Sequence, residues 1–386
     1  ISLGQVYPGQ MDSTFVPVRS HHYDPELTFD FCVNEPAWSN QAGIHSAFGS
    51  TDRLYFRKEV PVNHDNDLSS SYSTTVWRGE RANAQILVWS SEALEQVRVS
   101  TQDLRSAEGN IIPKDRITFE LVRYVLSNYP YAEKKAICGE SPYKSGFLMP
   151  DRFETLDRFD LPSQTTRPVW MMVDVPRGTA PGTYKGKVEV RAKGKAPQLL
   201  NLEIVVQNQL LPYPKDWKYR LDLWQNPWAV AWYNHVEPWS PEHKMLLKQH
   251  LKHYADAGGT YITTYGVHSP WSDNSYMIEG GMIEWIKKAD GTWAFDYKIF
   301  DEYVELAMEC GIDEAITLYT PIPWGFRHRY KDEATGDYSY INWAPSSEEF
   351  KKMWNIFLTD FKFHLEAKSW LDITYIGINE NPMEET

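Results

Sequence analysis

The stretch SPEHKMLLKQHLKHYADAGGTYITTYGV, residues 240–267, predicts an α-helix followed directly by a β-strand. Ser240 is a typical N-cap residue, Pro241 suits the first helical position, and Gly258 marks the end of the helix. Leucine and tyrosine recur at the i, i+4 and i+7 spacing of one helix face, and the β-branched run TYITTYGV then follows. Repetition of this unit along the chain would indicate a parallel α/β domain.

The unit does repeat towards the end of the chain. Further predicted strands and helices alternate in the segments YRLDLWQ (219–225), DYKIFDEYVELAMECG (296–311), DEAITLY (313–319), SSEEFKKMWNIFLTDFKFHLEAK (346–368) and DITYIGINE (372–380). The order βα, βα, βα, β is half of a (β/α)8, or TIM-type, barrel. Two interpretations remain open: an open four-stranded α/β layer, or a fragment of a longer chain that supplies the rest of the barrel.

The first half of the chain has a different pattern. Residues 1–210 contain short runs of alternating apolar and polar residues with regular turn signals, which predicts a β-sandwich domain. Within it, RPVWMMVDVPRGTAPGTYKGKVEVRAKG (167–194) predicts a hairpin with a long loop. The proline-containing segment 211–217 is the predicted linker, and 218–386 is the predicted half barrel. The chain is therefore expected to be multidomain, β followed by α/β.

Composition narrows the class of function. The net charge of −13 argues against nucleic acid and anionic membranes as partners, and no apolar run approaches transmembrane length. The three cysteines lie far apart, without metal-ligand spacing. His250 and His253 lie one turn apart, but on a predicted solvated helix face, so neither a metal nor a cofactor is expected. The 16 Trp and 23 Tyr indicate either large packed cores or carbohydrate binding.

Candidate site residues follow the predicted parallel strands, because functional residues of such folds lie at the strand carboxyl ends. These loops are rich in Trp, Tyr, His and Asn, whereas the loops at the opposite strand ends consist mainly of small residues. The substrate-binding candidates are Asp222, Trp224, Gln225, His268, Trp271, Tyr319 and Trp324. Structural packing is the competing interpretation for each of them.

The last predicted strand ends in a polar pair, Asn379-Glu380. Four apolar or β-branched residues lead into it, which favours a carboxylate held at the end of a buried strand. The competing interpretation is an asparagine that caps a helix beside a solvent-facing glutamate.

Four motifs, VWRGERANAQILVWS, RPVWMMVDVPRGTAPGTYKGKVEV, LDLWQNPWAVAW and YIGINENP, together resemble glycoside hydrolase family 123. The resemblance implies a β-N-acetylgalactosaminidase with an N-terminal β-sandwich and a (β/α)8 barrel. It implies a glycan partner, namely an oligosaccharide or glycolipid headgroup ending in N-acetylgalactosamine, and a periplasmic, cell-surface or secreted bacterial location. The family's barrel continues beyond strand four, so we expect a truncated portion of a longer enzyme, poorly soluble without the missing half.

The family's catalytic Asp-Glu pair corresponds to Asn379-Glu380, so the Glu matches and the Asp does not. The resemblance implies that Glu380 is the general acid/base and that Asn379 takes the place of the residue that orients the substrate's 2-acetamido group. An amide cannot stabilise the positive charge of the oxazolinium intermediate, which predicts a rate loss of about 10²–10³-fold. The sequence does not distinguish an engineered Asp→Asn change from natural divergence.

Two other function classes remain open at this point. In one, the chain is a retaining two-carboxylate barrel glycosidase with Glu380 as acid/base and its nucleophile in the missing half. In the other, it is a catalytically silent carbohydrate-binding protein, which Asn379 would permit.

Overall fold

In the computed structural model the described residues form two compact units. The changeover between the units falls at Leu211 and Pro212. The described residues are 35–63, 68–127, 147–270 and 280–378.

The first unit is built from β-strands. Its described strands are β1 (His45–Gly49), β2 (Ser71–Arg78), β3 (Arg81–Ser90), β4 (Leu94–Thr101), β5 (Leu104–Arg105), β6 (Ile111–Ile112), β7 (Ile117–Ser127), β8 (Phe147–Glu154), β9 (Phe159–Leu161), β10 (Thr165–Asp174), β11 (Gly182–Arg191) and β12 (Gln198–Leu210). One sheet has the order β1-β3-β10-β7-β8, and the other has the order β2-β12-β11-β4-β9 with β5 and β6 attached beside β11. Adjacent strands are antiparallel except for the parallel pair β2 and β12.

The two sheets share one apolar core. Ile86 of β3 and Met171 of β10 come from one sheet, Tyr184 of β11 and Ile204 of β12 come from the other, and all four are fully buried. The β-rich N-terminal part predicted from the sequence is therefore confirmed, with its sheets in two layers.

The prediction of a hairpin over 167–194 is wrong. β10 belongs to one sheet and β11 to the other, so the PRGTAP connection crosses between the layers. The antiparallel partner that follows β11 is β12. A period-two pattern shows that a strand buries one face, but both layers bury a face on the same core, so the pattern does not identify the pairing partner.

The second unit combines helices with two sheets. Its helices are α1 (Pro227–Asn234), α2 (Pro241–Asp256), α3 (Lys298–Glu309) and α4 (Glu348–Lys368). Its described strands are β13 (Tyr261–Tyr265), β14 (Glu284–Lys287), β15 (Trp293–Asp296), β16 (Ala315–Tyr319), β17 (Arg327–Asp332), β18 (Tyr338–Asn342) and β19 (Thr374–Gly377). No described helix combines the length and the apolar character needed to cross a membrane.

A parallel sheet of the order β13-β16-β19 forms the centre of this unit. Thr263 lies opposite Thr317, and Thr317 lies opposite Tyr375, so the three strands run in step. These strands confirm the alternating α/β pattern of the sequence. Among the described residues the sheet is open, and the (β/α)8 barrel stays a prediction.

The predicted strand over 219–225 is wrong except for a single parallel bridge between Leu221 and Gly259. The hydroxyl group of Tyr254 explains why no longer ladder forms. It accepts a hydrogen bond from the Leu223 N–H (3.1 Å), and its oxygen lies 2.7 Å from the Leu221 carbonyl and 2.8 Å from the Tyr261 carbonyl. A side chain of α2 thus satisfies backbone groups that an edge strand would otherwise pair.

Helix α2 follows its sequence signals closely. The Ser240 side chain accepts a hydrogen bond from the His243 N–H, and Leu247, Leu251 and Tyr254 are buried. These observations confirm the predicted cap and the predicted apolar face.

The predicted solvated face of α2 is also confirmed. His250 and His253 are both exposed. Within the described ranges no group of three or more potential metal ligands occurs.

A second sheet, of the order β15-β14-β17-β18, was not predicted. β14 and β15 follow β13 in the chain, and β17 and β18 follow β16, so this sheet is made from the loops at the strand carboxyl ends. Trp285 of β14 stacks on Phe357 of α4 at 4.7 Å between ring centroids, which places one face of the sheet in the core.

The Tyr254 hydroxyl provides a test of this architecture. Tyr254→Phe leaves the Leu223 N–H and two carbonyl groups without that partner, so we expect a loss of about 1–3 kcal/mol in the free energy of unfolding. Urea unfolding would measure it, with Tyr219→Phe, at a side chain that is 69% exposed, as the matched control. Equal stabilities of the two variants would contradict this role.

Candidate functional site at the strand carboxyl ends

Hydrogen bonds join the carboxyl ends of the three parallel strands. The N–H of Gly266, just after β13, donates to the carbonyl of Tyr319 at 2.8 Å. The hydroxyl of Thr320, which is fully buried just after β16, donates to the carbonyl of Ile378 just after β19. Ile378 is the last described residue, so these bonds fix the backbone that leads into Asn379.

The close approach of β19 to β16 depends on a glycine. A Cβ atom at Gly377 would lie 3.1 Å from the Tyr319 ring and 3.2 Å from the Thr317 methyl group. A larger residue would therefore be in tight contact with β16, and its neighbours would have to move by a few tenths of an ångström. Thr320 and Gly377 thus hold the end of β19 close to β16, and neither was among the residues predicted from the sequence.

Asp222 lies against the middle of the parallel sheet. Its carboxylate accepts hydrogen bonds from the hydroxyl of Thr263 on β13 (3.0 and 3.2 Å) and from that of Thr317 on β16 (3.4 Å). The first predicted strand end is therefore joined to both of the following strands by one side chain. This geometry gives Asp222 a positioning role.

Trp224 and Tyr319 form an aromatic pair at the strand ends. Their ring centroids lie 5.0 Å apart with 41° between the ring planes. Tyr319 is buried, whereas 49% of Trp224 is exposed. A half-exposed indole held by a buried ring offers a flat apolar surface to a ligand.

Gln225 takes part through its backbone. Its carbonyl oxygen accepts a hydrogen bond from the Tyr265 hydroxyl at 2.8 Å. That bond fixes the chain between Asp222 and the start of α1.

His268 follows β13 and is partly buried. Burial, reinforced by the positive charges of Arg329 and Arg327, lowers the pKa of His268 to about 3. The imidazole is therefore neutral at physiological pH, and its Nδ1 atom has no hydrogen-bond partner among the described residues. A neutral imidazole in such a position can donate or accept a hydrogen bond but cannot supply a proton as an acid.

The structure places Trp324 beside the loop that carries His268. The backbone N–H of Trp324 donates a hydrogen bond to the Pro270 carbonyl at 2.9 Å. This bond joins the loop after β16 to the loop after β13. The structure thus places six of the predicted candidates at or near the ends of β13 and β16. They are Asp222, Trp224, Gln225 and Tyr319 around the strands, and His268 and Trp324 in the loops that follow them. The other three predicted residues, Trp271, Asn379 and Glu380, lie outside the described residues.

This arrangement suits an uncharged, hydroxyl-rich ligand. It combines a half-exposed aromatic surface with a neutral imidazole. Sugars present C–H faces that pack on rings and hydroxyl groups that pair with such polar atoms.

Behind the site, His328 lies in the aromatic core between β17 and α4. Its Nδ1 atom is 3.1 Å from the Phe326 carbonyl, and its Nε2 atom accepts a hydrogen bond from the Trp354 indole at 3.2 Å. These partners fix a neutral imidazole with the proton on Nδ1. Burial lowers the pKa of His328 to about 4.

We expect His328 to make the protein less stable in acid. In the unfolded chain a histidine takes up its proton near pH 6.5, whereas folded His328 does so only near pH 4. The unfolded state therefore binds more protons between these values, and stability falls by about 1.4 kcal/mol per pH unit as the pH decreases through this window. Urea unfolding should show a shallower decrease between pH 6.5 and 4 for His328→Gln than for the wild type. Parallel pH profiles would contradict the assignment.

Two family profiles match the chain. The profile described as Glycoside hydrolase 123 N-terminal domain matches residues 48–192, and the profile described as Glycoside hydrolase 123, catalytic domain matches residues 224–386. The second match begins at Trp224 and includes the Asn379-Glu380 pair. A comparison with curated proteins found no significant match.

A solved structure is similar to most of the chain. It is that of a family 123 glycoside hydrolase from Clostridium perfringens, described in work on glycolipid glycan hydrolysis. The similarity has a TM-score of 0.80 at 26% identity and covers 89% of this chain but 59% of that chain, so this chain spans less than two thirds of that protein. A PapD-like domain of human CEP192 aligns with 48% of this chain and 99% of its own length at 12% identity, with a TM-score of 0.20 that is too low to support an argument.

Proposed function

Because the chain belongs to glycoside hydrolase family 123, we propose that it is a glycosidase that removes terminal β-linked N-acetylgalactosamine from a glycan. The observation that carries the proposal is the catalytic-domain match over residues 224–386, which contains every candidate at the strand carboxyl ends except Asp222. The related protein from Clostridium perfringens is connected with glycolipid glycans, which supports a glycan substrate here.

We assign the general acid/base role to Glu380. Cleavage of a glycosidic bond needs a proton on the leaving oxygen, and a carboxyl group in a partly apolar pocket can supply it. The backbone that leads to Glu380 is held by the bond from the Thr320 hydroxyl to the Ile378 carbonyl. A proton donor must be positioned to within a fraction of an ångström, and this bond supports such positioning.

The proposed nucleophile is the carbonyl oxygen of the substrate's own 2-acetamido group. It attacks the anomeric carbon as the C–O bond to the leaving group breaks and Glu380 protonates the departing oxygen. Water, deprotonated by Glu380, then attacks the same carbon and reopens the oxazoline ring with net retention. Asn379 accepts the acetamide N–H through its amide oxygen and orients the group for attack.

The described residues have supporting roles in this proposal. The exposed face of Trp224, backed by Tyr319, packs against the sugar ring. Neutral His268 bonds a sugar hydroxyl, and Trp324 holds the adjacent loop. Asp222 maintains the spacing of the strand ends through the threonine hydroxyls described above.

The proposed acid predicts a dependence on the leaving group. In the full-length protein, Glu380→Gln should slow aryl β-N-acetylgalactosaminides with poor leaving groups far more than those with good ones, because only poor leaving groups need the proton. The measurement is kcat/KM across an aryl series that differs in phenol pKa.

Glu349→Gln is the matched control, since Glu349 is exposed in the first turn of α4. It should reproduce the wild-type dependence on leaving-group pKa. An identical loss for every leaving group in Glu380→Gln would contradict the acid role.

Two reagents separate substrate assistance from the two-carboxylate mechanism. A thiazoline that mimics the oxazoline intermediate should bind tightly under the proposed mechanism, whereas a fluorosugar that labels the protein covalently would indicate a carboxylate nucleophile. Glycan binding with no turnover of any substrate by the full-length protein would identify a carbohydrate-binding homologue without catalytic activity.

A further inference from the structure

The sheet β15-β14-β17-β18 has two contrasting faces. Along β17, His328 is directed into the aromatic core, whereas Arg327 is exposed and Arg329 partly exposed on the opposite side. Tyr338 and Tyr340 of β18 lie on that same outer side and are 50% and 48% exposed. We call Arg327, Arg329, Tyr338 and Tyr340 the arginine–tyrosine face.

Each arginine of this face lies over a tyrosine ring. The Cζ atom of Arg327 is 3.7 Å from the ring centroid of Tyr340, and that of Arg329 is 4.2 Å from the ring centroid of Tyr338. A tyrosine ring beneath a guanidinium group restrains the arginine side chain. It leaves the N–H groups at the edge of the guanidinium free to bind another group. Those N–H groups match the geometry of a carboxylate or a sulfate.

The charge of this face differs from that of the rest of the protein. The chain carries a net charge of −13, which repels anions in general. Within the described ranges, neither Arg327 nor Arg329 forms an ion pair. The carboxylate of Glu284 accepts a hydrogen bond from the Tyr338 hydroxyl at 2.5 Å and does not pair with either arginine.

The arginine–tyrosine face borders the candidate site. β17 begins three residues after Trp324. The backbone N–H of Trp324 donates a hydrogen bond to Pro270, in the loop that carries His268. Both arginines act on the His268 imidazole electrostatically, so their charge reaches the site itself. Because β17 follows directly on the loop that carries Trp324, we expect a ligand longer than one sugar at the strand carboxyl ends to reach this face.

We propose that the arginine–tyrosine face binds an anionic group, a carboxylate or a sulfate ester, on the part of the glycan that is released when the terminal sugar is cleaved. This inference rests on the proposed glycosidase function and adds the class of glycan to it. Charge complementarity with two arginines, together with ring surfaces that pack on sugar, selects a charged oligosaccharide as the occupant.

The test compares oligosaccharides that end in the same β-linked N-acetylgalactosamine and carry no charge, a carboxylate or a sulfate on the adjacent sugar. The full-length protein should have a higher kcat/KM for at least one anionic glycan, and the better of the two identifies the group. In the double variant Arg327→Gln/Arg329→Gln the ratio of anionic to neutral kcat/KM should fall at least about tenfold, mainly through KM. Arg327→Lys/Arg329→Lys should give an intermediate ratio, because lysine keeps the charge but loses the bidentate geometry.

Arg220→Gln is the matched control, because the Arg220 Cζ atom also lies over a tyrosine, 5.8 Å from the Tyr261 ring centroid. It should keep the wild-type ratio. Equal rates on neutral and anionic glycans, or a ratio that is unchanged in the glutamine double variant, would overturn the inference.

A binding measurement separates this inference from the proposed function. Calorimetry with the anionic oligosaccharide that lacks the terminal sugar should show salt-sensitive binding that is lost in the double variant. If this binding is found but no N-acetylgalactosamine is released, the proposed function fails and the anion site stands. If the sugar is released but the anionic oligosaccharide does not bind, the anion site fails alone.

Discussion

The contact of the Asp222 carboxylate with the hydroxyl groups of Thr263 and Thr317 is the interaction on which the candidate site depends. The carboxylate of Asp222 is partly buried, and its hydrogen-bond donors come from two neighbouring parallel strands. These hydrogen bonds set the spacing of the segment around residue 222 relative to β13 and β16. That spacing in turn sets the contact between the rings of Trp224 and Tyr319. Trp224 lies two positions after Asp222, and Tyr319 lies two positions after Thr317.

The sequence predicted α2, α3 and α4 and the strands β13, β16 and β19 because their signals are local, whereas α1 was not predicted. The cap at Ser240 and the regular burial of Leu247, Leu251 and Tyr254 depend on the helix itself. The segment 219–225 was mispredicted because a tyrosine hydroxyl of α2 satisfies its backbone groups, and sequence pattern carries no information on such a distant partner. The pairing of β10 and β11 failed for a related reason, since a buried face does not reveal which strand lies alongside.

Some features around the site could have been predicted from the sequence, and others could not. The segment RHRYKDEATGDYSYIN (327–342) alternates around a turn with glycine and is a recognisable hairpin signal, so β17 and β18 could have been predicted. The role of Thr320 could not, because it rests on a single contact across 58 residues to the carbonyl of Ile378. The neutral state of His268 could not be predicted either, because it depends on burial and on two arginines from another sheet.

We propose that the substrate supplies its own nucleophile and that Asn379 occupies a position where a carboxylate would perform better. The most direct test is kcat for an aryl β-N-acetylgalactosaminide with the full-length protein and its Asn379→Asp variant. The added negative charge should stabilise the oxazolinium, so we expect kcat to rise about 10²-fold. An unchanged or lower kcat would contradict substrate assistance at this position and would favour a mechanism in which Asn379 only bonds a sugar hydroxyl.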